Sequence, residues 1–164
     1  MNHWYIKVLS GKWLKYLLMF LCIMLITLYI STHWYQLMLI HGDSMLPTYH
    51  NMQLVLLDRH SEEYTYDDVI AFWCDDLNSV LIKRIVACPG DEVFIREGTL
   101  YVNGDVSNIF PQEYLFEYAG IADNPVQLTA DHYFVIGDNI EKSKDSRYPA
   151  VGCVSADSVI GKVI

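Results

Sequence analysis

From Tyr16 to Thr32 the chain runs without a single charged residue, and this stretch limits what the remainder can be. Leu, Ile, Met and Phe dominate it, with Trp13 on one side and Trp34 and Tyr35 on the other. Trp13 to Trp34, at about 1.5 Å per helical residue, reaches roughly 33 Å, close to the hydrocarbon thickness of a bilayer. Trp and Tyr at the two ends suit the membrane interface. One transmembrane helix is therefore expected over residues 13–35. The charges near it are Lys7, Lys12 and Lys15, all toward its N-terminal end, and no further Lys or Arg occurs before Arg59. That asymmetry predicts a cytoplasmic segment 1–12 and an extracytoplasmic domain 36–164. The apolar run is longer than that of a cleaved leader and no Ala-x-Ala site comes after it, so it reads as an uncleaved anchor in the cell membrane.

The chain beyond the anchor is long enough for one domain. The formal charge is −9, and every one of the 20 acids lies from Asp43 onward, against eight bases. Such a surface argues against nucleic acid as a partner, because phosphates need neutralising cations. No His-Glu-x-x-His occurs, and His50, His60 and His132 lack a ligand spacing, so neither metal nor other cofactor is expected. Cys74, Cys88 and Cys153 form no spaced metal pattern either. Three is an odd number, and the choice between one disulfide and buried free thiols stays open.

After Gln36 the pattern becomes short apolar runs broken by Gly, Asp, Asn and Pro, the punctuation of β structure. Strands are expected at Leu37 to His41, Gln53 to Asp58, Asp68 to Trp73, Val80 to Val86, Glu92 to Arg96, Thr99 to Val102, Tyr133 to Ile136 and Ser158 to Val163. Arg96-Glu97-Gly98 and Asn103-Gly104-Asp105 read as turns, since Gly and Asn tolerate positive φ. Phe110 to Asp131 has no clear period and is taken as an excursion between strands. The expected fold class is mainly β: one N-terminal transmembrane helix followed by a compact all-β domain.

Within that domain, His41-Gly-Asp-Ser44-Met-Leu-Pro-Thr48 places a Ser between a Gly-bearing turn and a Pro-terminated apolar step. A Ser hydroxyl is a weak nucleophile at its own pKa and needs a base. His41 and Asp43 are poor partners, because nucleophile, base and orienter normally come from separate segments. The Gly-x-Ser-x-Gly elbow is also absent, as Leu46 stands where its second Gly would be.

A better base lies in Leu81-Ile82-Lys83-Arg84-Ile85-Val86. On a strand, Leu81, Lys83 and Ile85 share one face while Ile82, Arg84 and Val86 share the other, so one cation points into apolar company. Both heads reaching to water from an edge strand is the alternative. Burial would lower the pKa of Lys83 by penalising the ammonium form, and a base must be neutral. A third stretch, Gly137-Asp138-Asn139 through Ser143, Asp145, Ser146 and Arg147, leaves an apolar strand and enters a polar loop. Asp145 and Arg147 are placed to pair, and the Ser143 or Ser146 hydroxyl to aim the Lys amine.

Together these pieces resemble the type I signal peptidases, membrane-anchored Ser/Lys proteases of peptidase family S26. The anchor, Gly42-Asp-Ser-Met-Leu-Pro-Thr48, Asp68-Val-Ile-Ala-Phe72, Lys83-Arg-Ile-Val-Ala-Cys-Pro-Gly-Asp91 and Gly137-Asp-Asn139 to Arg147 stand in the family's order, and the chain resembles its shorter Gram-positive members. The resemblance implies that Ser44 attacks the scissile carbonyl, that Lys83 is the general base, and that Ser143 orients Lys83. Asp145 and Arg147 would form an ion pair, with Asp138, Asn139 and Ser146 in the same loop. Ile40, Met45 and Ile82 would line shallow pockets for small side chains before the cut. The partners implied are signal peptides of exported preproteins and the lipid bilayer. Some members carry a Ser two residues before the nucleophile, where its hydroxyl serves the oxyanion; here that place is Gly42. A non-catalytic signal-peptide-binding or pilus-assembly module of the same fold is the competing reading.

Overall fold

In the computed structural model, residues 12–61 and 63–164 are described, so Lys7 and most of the expected cytoplasmic segment lie outside the described residues. Helix α1 (Lys12–His33) contributes no buried side chain, and it is long and apolar enough to cross a membrane. Trp34 alone separates it from strand β1 (Tyr35–Leu39). The Trp34 N–H donates to Ile30 O and its carbonyl accepts from Arg59, while its ring stacks on His60 at 5.4 Å.

The remaining strands are β2 (Leu54–Asp58), β3 (Val69–Cys74), β4 (Ser79–Ala87), β5 (Glu92–Arg96), β6 (Thr99–Val102), β7 (Asp105–Val106), β8 (Val126–Gln127), β9 (His132–Ile136), β10 (Val154–Ser155) and β11 (Val159–Val163). A seven-stranded sheet runs β1-β2-β11-β3-β4-β9-β10, and a four-stranded sheet runs β7-β6-β5-β8. Every pairing is antiparallel. The domain is therefore mainly β, as the sequence predicts. Both expected turns are two-residue hairpins with positive φ at each central position, Glu97-Gly98 and Asn103-Gly104, the twist that suits right-handed strands.

Some boundaries differ. The first strand begins and ends two residues earlier than expected: Tyr35 and Gln36 pair with Asp58 and Leu57, and beyond Leu39 the Ile40 backbone bonds to Gln53 and Met52 in the turn before β2. The two-residue strands β7, β8 and β10 are too short to show a period. Phe110 to Asp131 is an ordered strap that buries isolated residues, Phe110, Phe116, Ala122 and Leu128, on the small sheet. Phe110 and Phe116 meet edge to face at 5.6 Å. The four cysteines are all unpaired, and Cys74 is buried with its Sγ donating to Ala150 O.

Three apolar clusters hold the domain, and β4 reaches all of them. Ile82 joins Ile40, Met45, Val55, Leu57, Val69 and Ala71. Ile85 joins Ile70, Phe72, Tyr133 and Val135 on the opposite face. Val86 and Ala87 join Val93, Ile95, Leu100 and Phe134 toward the small sheet. A strand apolar on both faces is the signature of a sheet interior. The pair β1–β2 has the same double pattern at the sheet edge. Met38, Val55 and Leu57 face the core, whereas Leu37 and Leu54 on the other face are 64% and 59% exposed.

Strand β11 closes the large sheet against β2 at Gly161, where an added Cβ would lie 2.6 Å from the Asp58 carbonyl oxygen. Backbone cannot yield as a flexible side chain can, so Gly161→Ala is expected to lower unfolding free energy by about 2 kcal/mol, read by chemical denaturation in detergent.

Candidate active site

Ser44 sits in a turn-rich loop that leaves β1 through Gly42 at φ 89°, a conformation Gly adopts without strain. The Gly42 N–H donates to Asn51 Oδ1 at 2.9 Å, and the buried Met45 side chain pins the loop to the core. From the far side Asn139 holds the same backbone: its N–H donates to Ser44 O and its Nδ2 to Asp43 O, each at 3.0 Å. Gly137 lets these segments touch. An added Cβ there would lie 2.5 Å from Ser44 O and would collide with Ser143 Oγ.

Lys83 projects from β4 beneath this loop and is 3% exposed. Its Nζ lies 2.9 Å from Ser44 Oγ and donates to Ile82 O at 2.8 Å. Desolvation by burial pushes its pKa down from 10.5 to about 8, with the charges of Asp145 and Asp138 pulling the other way. At pH 7 about one Lys83 in ten is then neutral, against about one in three thousand at the ordinary value. Hydroxyl and amine are thus within proton-transfer distance, and the amine is partly neutral near pH 7.

Arg84, on the opposite face of β4, is paired rather than free at an edge. Its Nε and Nη2 donate to the two carboxylate oxygens of Asp138 at 2.7 and 2.6 Å, and Nη1 reaches Asp67. This fork fixes the start of the 138–147 loop to β4. Sequence reasoning set out the two faces of β4 but missed this partner, since Asp138 lies 54 residues away.

Inside the loop, Arg147 and Asp145 are 2% and 0% exposed and form a two-point ion pair, Nε to Oδ1 at 2.8 Å and Nη2 to Oδ2 at 2.9 Å. Nη2 also donates to Ile140 O, the Gly137 N–H donates to Asp145 Oδ2, and the guanidinium lies over the Phe116 ring. Both carboxylate oxygens of Asp145 are used, as a buried charge requires.

Neither expected hydroxyl holds Lys83 in the structure. Ser146 Oγ accepts from the Val135 N–H, which turns it toward β9 and away from the amine. Ser143 is buried, but its Oγ has no hydrogen-bond partner, so the expected bond to Lys83 is not formed; the Ile82 carbonyl takes that part of Nζ. Ile40, Met45 and Ile82 do meet, with Ser44 and Lys83, around a cavity of about 310 Å³ that extends along Met38 to His41 and Val80 to Lys83. His41 is exposed and bonded to its own strand, and makes no hydrogen bond with Ser44.

The described residues thus set a buried amine against a Ser hydroxyl, on a mainly β domain behind an apolar helix. Residues 12–164 match the family model described as signal peptidase, peptidase S26. A signal peptidase I from Bacillus licheniformis is 32% identical over 75% of this chain and 71% of its own length. Signal peptidase I S from Bacillus subtilis is 33% identical over 66% of this chain and 64% of its own. The crystal structure of a signal peptidase I from Enterococcus faecalis covers 62% of this chain and 97% of that one, with 27% identity and a TM-score of 0.50. The chain belongs to the signal peptidase family, peptidase S26.

Holding the Lys83 cation in the fold costs about 3 kcal/mol, from the drop in pKa between 10.5 and about 8. The folded state binds this proton less well than the unfolded one, so the cost is full below pH 8, shrinks as pH rises toward 10.5 and vanishes above. Lys83→Met is therefore expected to stabilise the protein by up to about 3 kcal/mol at pH 7 and by nothing near pH 11, read from denaturant midpoints at the two pH values.

Proposed function

We propose that the protein is a membrane-anchored serine endopeptidase that removes N-terminal signal peptides from exported preproteins after small residues, with Ser44 as nucleophile and Lys83 as general base. The observation that carries this reading is the 2.9 Å contact between Ser44 Oγ and a desolvated Lys83 amine.

Neutral Lys83 accepts the Ser44 hydroxyl proton as Oγ attacks the scissile carbonyl. The Ser44 N–H makes no hydrogen bond among the described residues, so it is available to the oxyanion. The ammonium of Lys83 then gives its proton to the departing amine, leaving an acyl-enzyme on Ser44. Neutral again, Lys83 takes a proton from the water that hydrolyses the ester. Asp145 and Arg147 lock the loop behind Lys83, and Arg84 with Asp138 fixes its other end. Ser143 is buried in the same loop beside Gly137, without a hydrogen bond to Lys83. The shallow cavity bounded by Ile40, Met45 and Ile82 suits small side chains on the acyl side of the cut. Its walls run along β1 and β4, where an extended peptide can add backbone hydrogen bonds.

The membrane assignment draws on α1 and on the exposed apolar face of β1–β2, which continues from the helix through Trp34. Lys12 and Lys15 at the start of α1 favour a cytoplasmic N-terminus and an extracytoplasmic catalytic domain. Substrates tethered in the same bilayer then meet the site at raised effective concentration.

Ser44→Ala and Lys83→Ala are each expected to slow preprotein cleavage in liposomes by about a thousandfold or more while the fold persists. Lys83→Arg should not rescue it, because a guanidinium does not deprotonate. Undiminished cleavage by either alanine variant, or binding of preprotein without a new N-terminus, contradicts the proposal.

The pH dependence comes from the same amine. Only neutral Lys83 accepts the proton, so kcat/KM should rise about tenfold per pH unit on the acid side and level off above the pKa of about 8. An acid limb centred near the ordinary Lys value in a stopped-flow pH series would remove Lys83 from the role.

A further inference from the structure

Two cavities flank the segment that carries Ser44. The cavity of about 310 Å³ on the β1 and β4 side is the one bounded by Lys83. A second, of about 620 Å³, opens past the nucleophile, where Leu46 and Pro47 meet Asn139 and Ile140. Asn139 joins the two, since it lines the second cavity and holds Asp43 O and Ser44 O by hydrogen bonds. A polypeptide laid extended over Ser44, with its acyl side along β1 and β4, must leave on the other side of this segment.

We infer that the second cavity receives the first residues after the cut and selects for basic ones. The inference rests on the protease reading and adds a specificity that the dyad does not determine. Glu113, Glu117 and Glu141 line the cavity with exposed carboxylates. Asp138 also faces it, but both of its oxygens are held by Arg84. Among the described residues no Lys, Arg or His lines it; Lys142 and Lys144, in the same loop, are exposed and stand outside. Tyr114 and Leu115 add apolar cover, enough to hold the stems of Lys or Arg while their heads meet the carboxylates. The segment leaving this side begins with the newly released amine, itself protonated at neutral pH, which the same carboxylates favour. Acidic residues soon after the cut would meet like charge and be disfavoured.

The test uses the full chain in detergent and three preprotein-derived substrates identical up to the cut, with Lys-Lys, Ser-Ser or Glu-Glu at the second and third positions beyond it. The wild type is expected to cut the Lys substrate with a kcat/KM about tenfold above the Glu substrate at low ionic strength, the ratio shrinking as salt is added. The combined variant Glu113→Gln, Glu117→Gln, Glu141→Gln should bring the ratio to within about twofold. A second combined variant that removes three acids elsewhere, Asp76→Asn, Asp105→Asn, Asp123→Asn, should keep the preference and so separates the cavity from the general acidic field. Because each ratio is read within one protein, any change in overall rate cancels. A wild-type ratio near one, or equal loss in the two variants, overturns this inference while cleavage of the Ser substrate upholds the protease reading. Failure of the wild type to cut the Ser substrate removes both.

Discussion

A single amine held out of water sets the terms for this domain. Burial of Lys83 is unfavourable for its charged form, so the surrounding fold must be stable enough to carry that cost. Strand β4 meets the requirement by position. Its neighbours along the strand, Ile82, Ile85 and Val86, each sit in a different apolar cluster, so the strand that presents the amine is also the one the three cores share.

The carboxylates are arranged around this constraint. Asp138 and Asp145 both raise the pKa of Lys83, and unpaired they would draw the amine toward its charged form. Each is instead committed to an arginine, Asp138 to Arg84 and Asp145 to Arg147, with two-point geometry in both cases. The guanidinium groups neutralise most of the local acid while holding the loop in place. The same pairs leave Ser143 inside the loop without a partner, the one buried polar side-chain atom so placed among the described residues.

The features legible in the sequence were those that spacing encodes. Period-two patterns marked the longer strands, the Glu97-Gly98 and Asn103-Gly104 turns named themselves, and alternation on β4 separated Lys83 from Arg84. The ordered likeness of Ser44, Lys83 and the 137–147 loop to a known family pointed to the candidate site. The features that stayed hidden depend on contacts between distant segments. The fork from Arg84 to Asp138, the grip of Asn139 on the Ser44 backbone and the reach of Phe116 beneath Arg147 join residues that no local period connects. The partners of the two hydroxyls are not legible for a related reason. Ser143 and Ser146 lie close together in one polar loop, and only the path of β9 decides that Ser146 serves the Val135 N–H.

The glycine two residues before Ser44 bears on how such loops diversify. A Cβ at Gly42 would meet nothing within 4 Å, so there is room for a side chain, yet the backbone stands at φ 89°, where L-residues are strained. Vacant space and an unfavourable backbone together mean that a serine here would fit sterically but carry backbone strain on the order of 1–3 kcal/mol, set against the hold that the bond from Gly42 to Asn51 keeps on the loop.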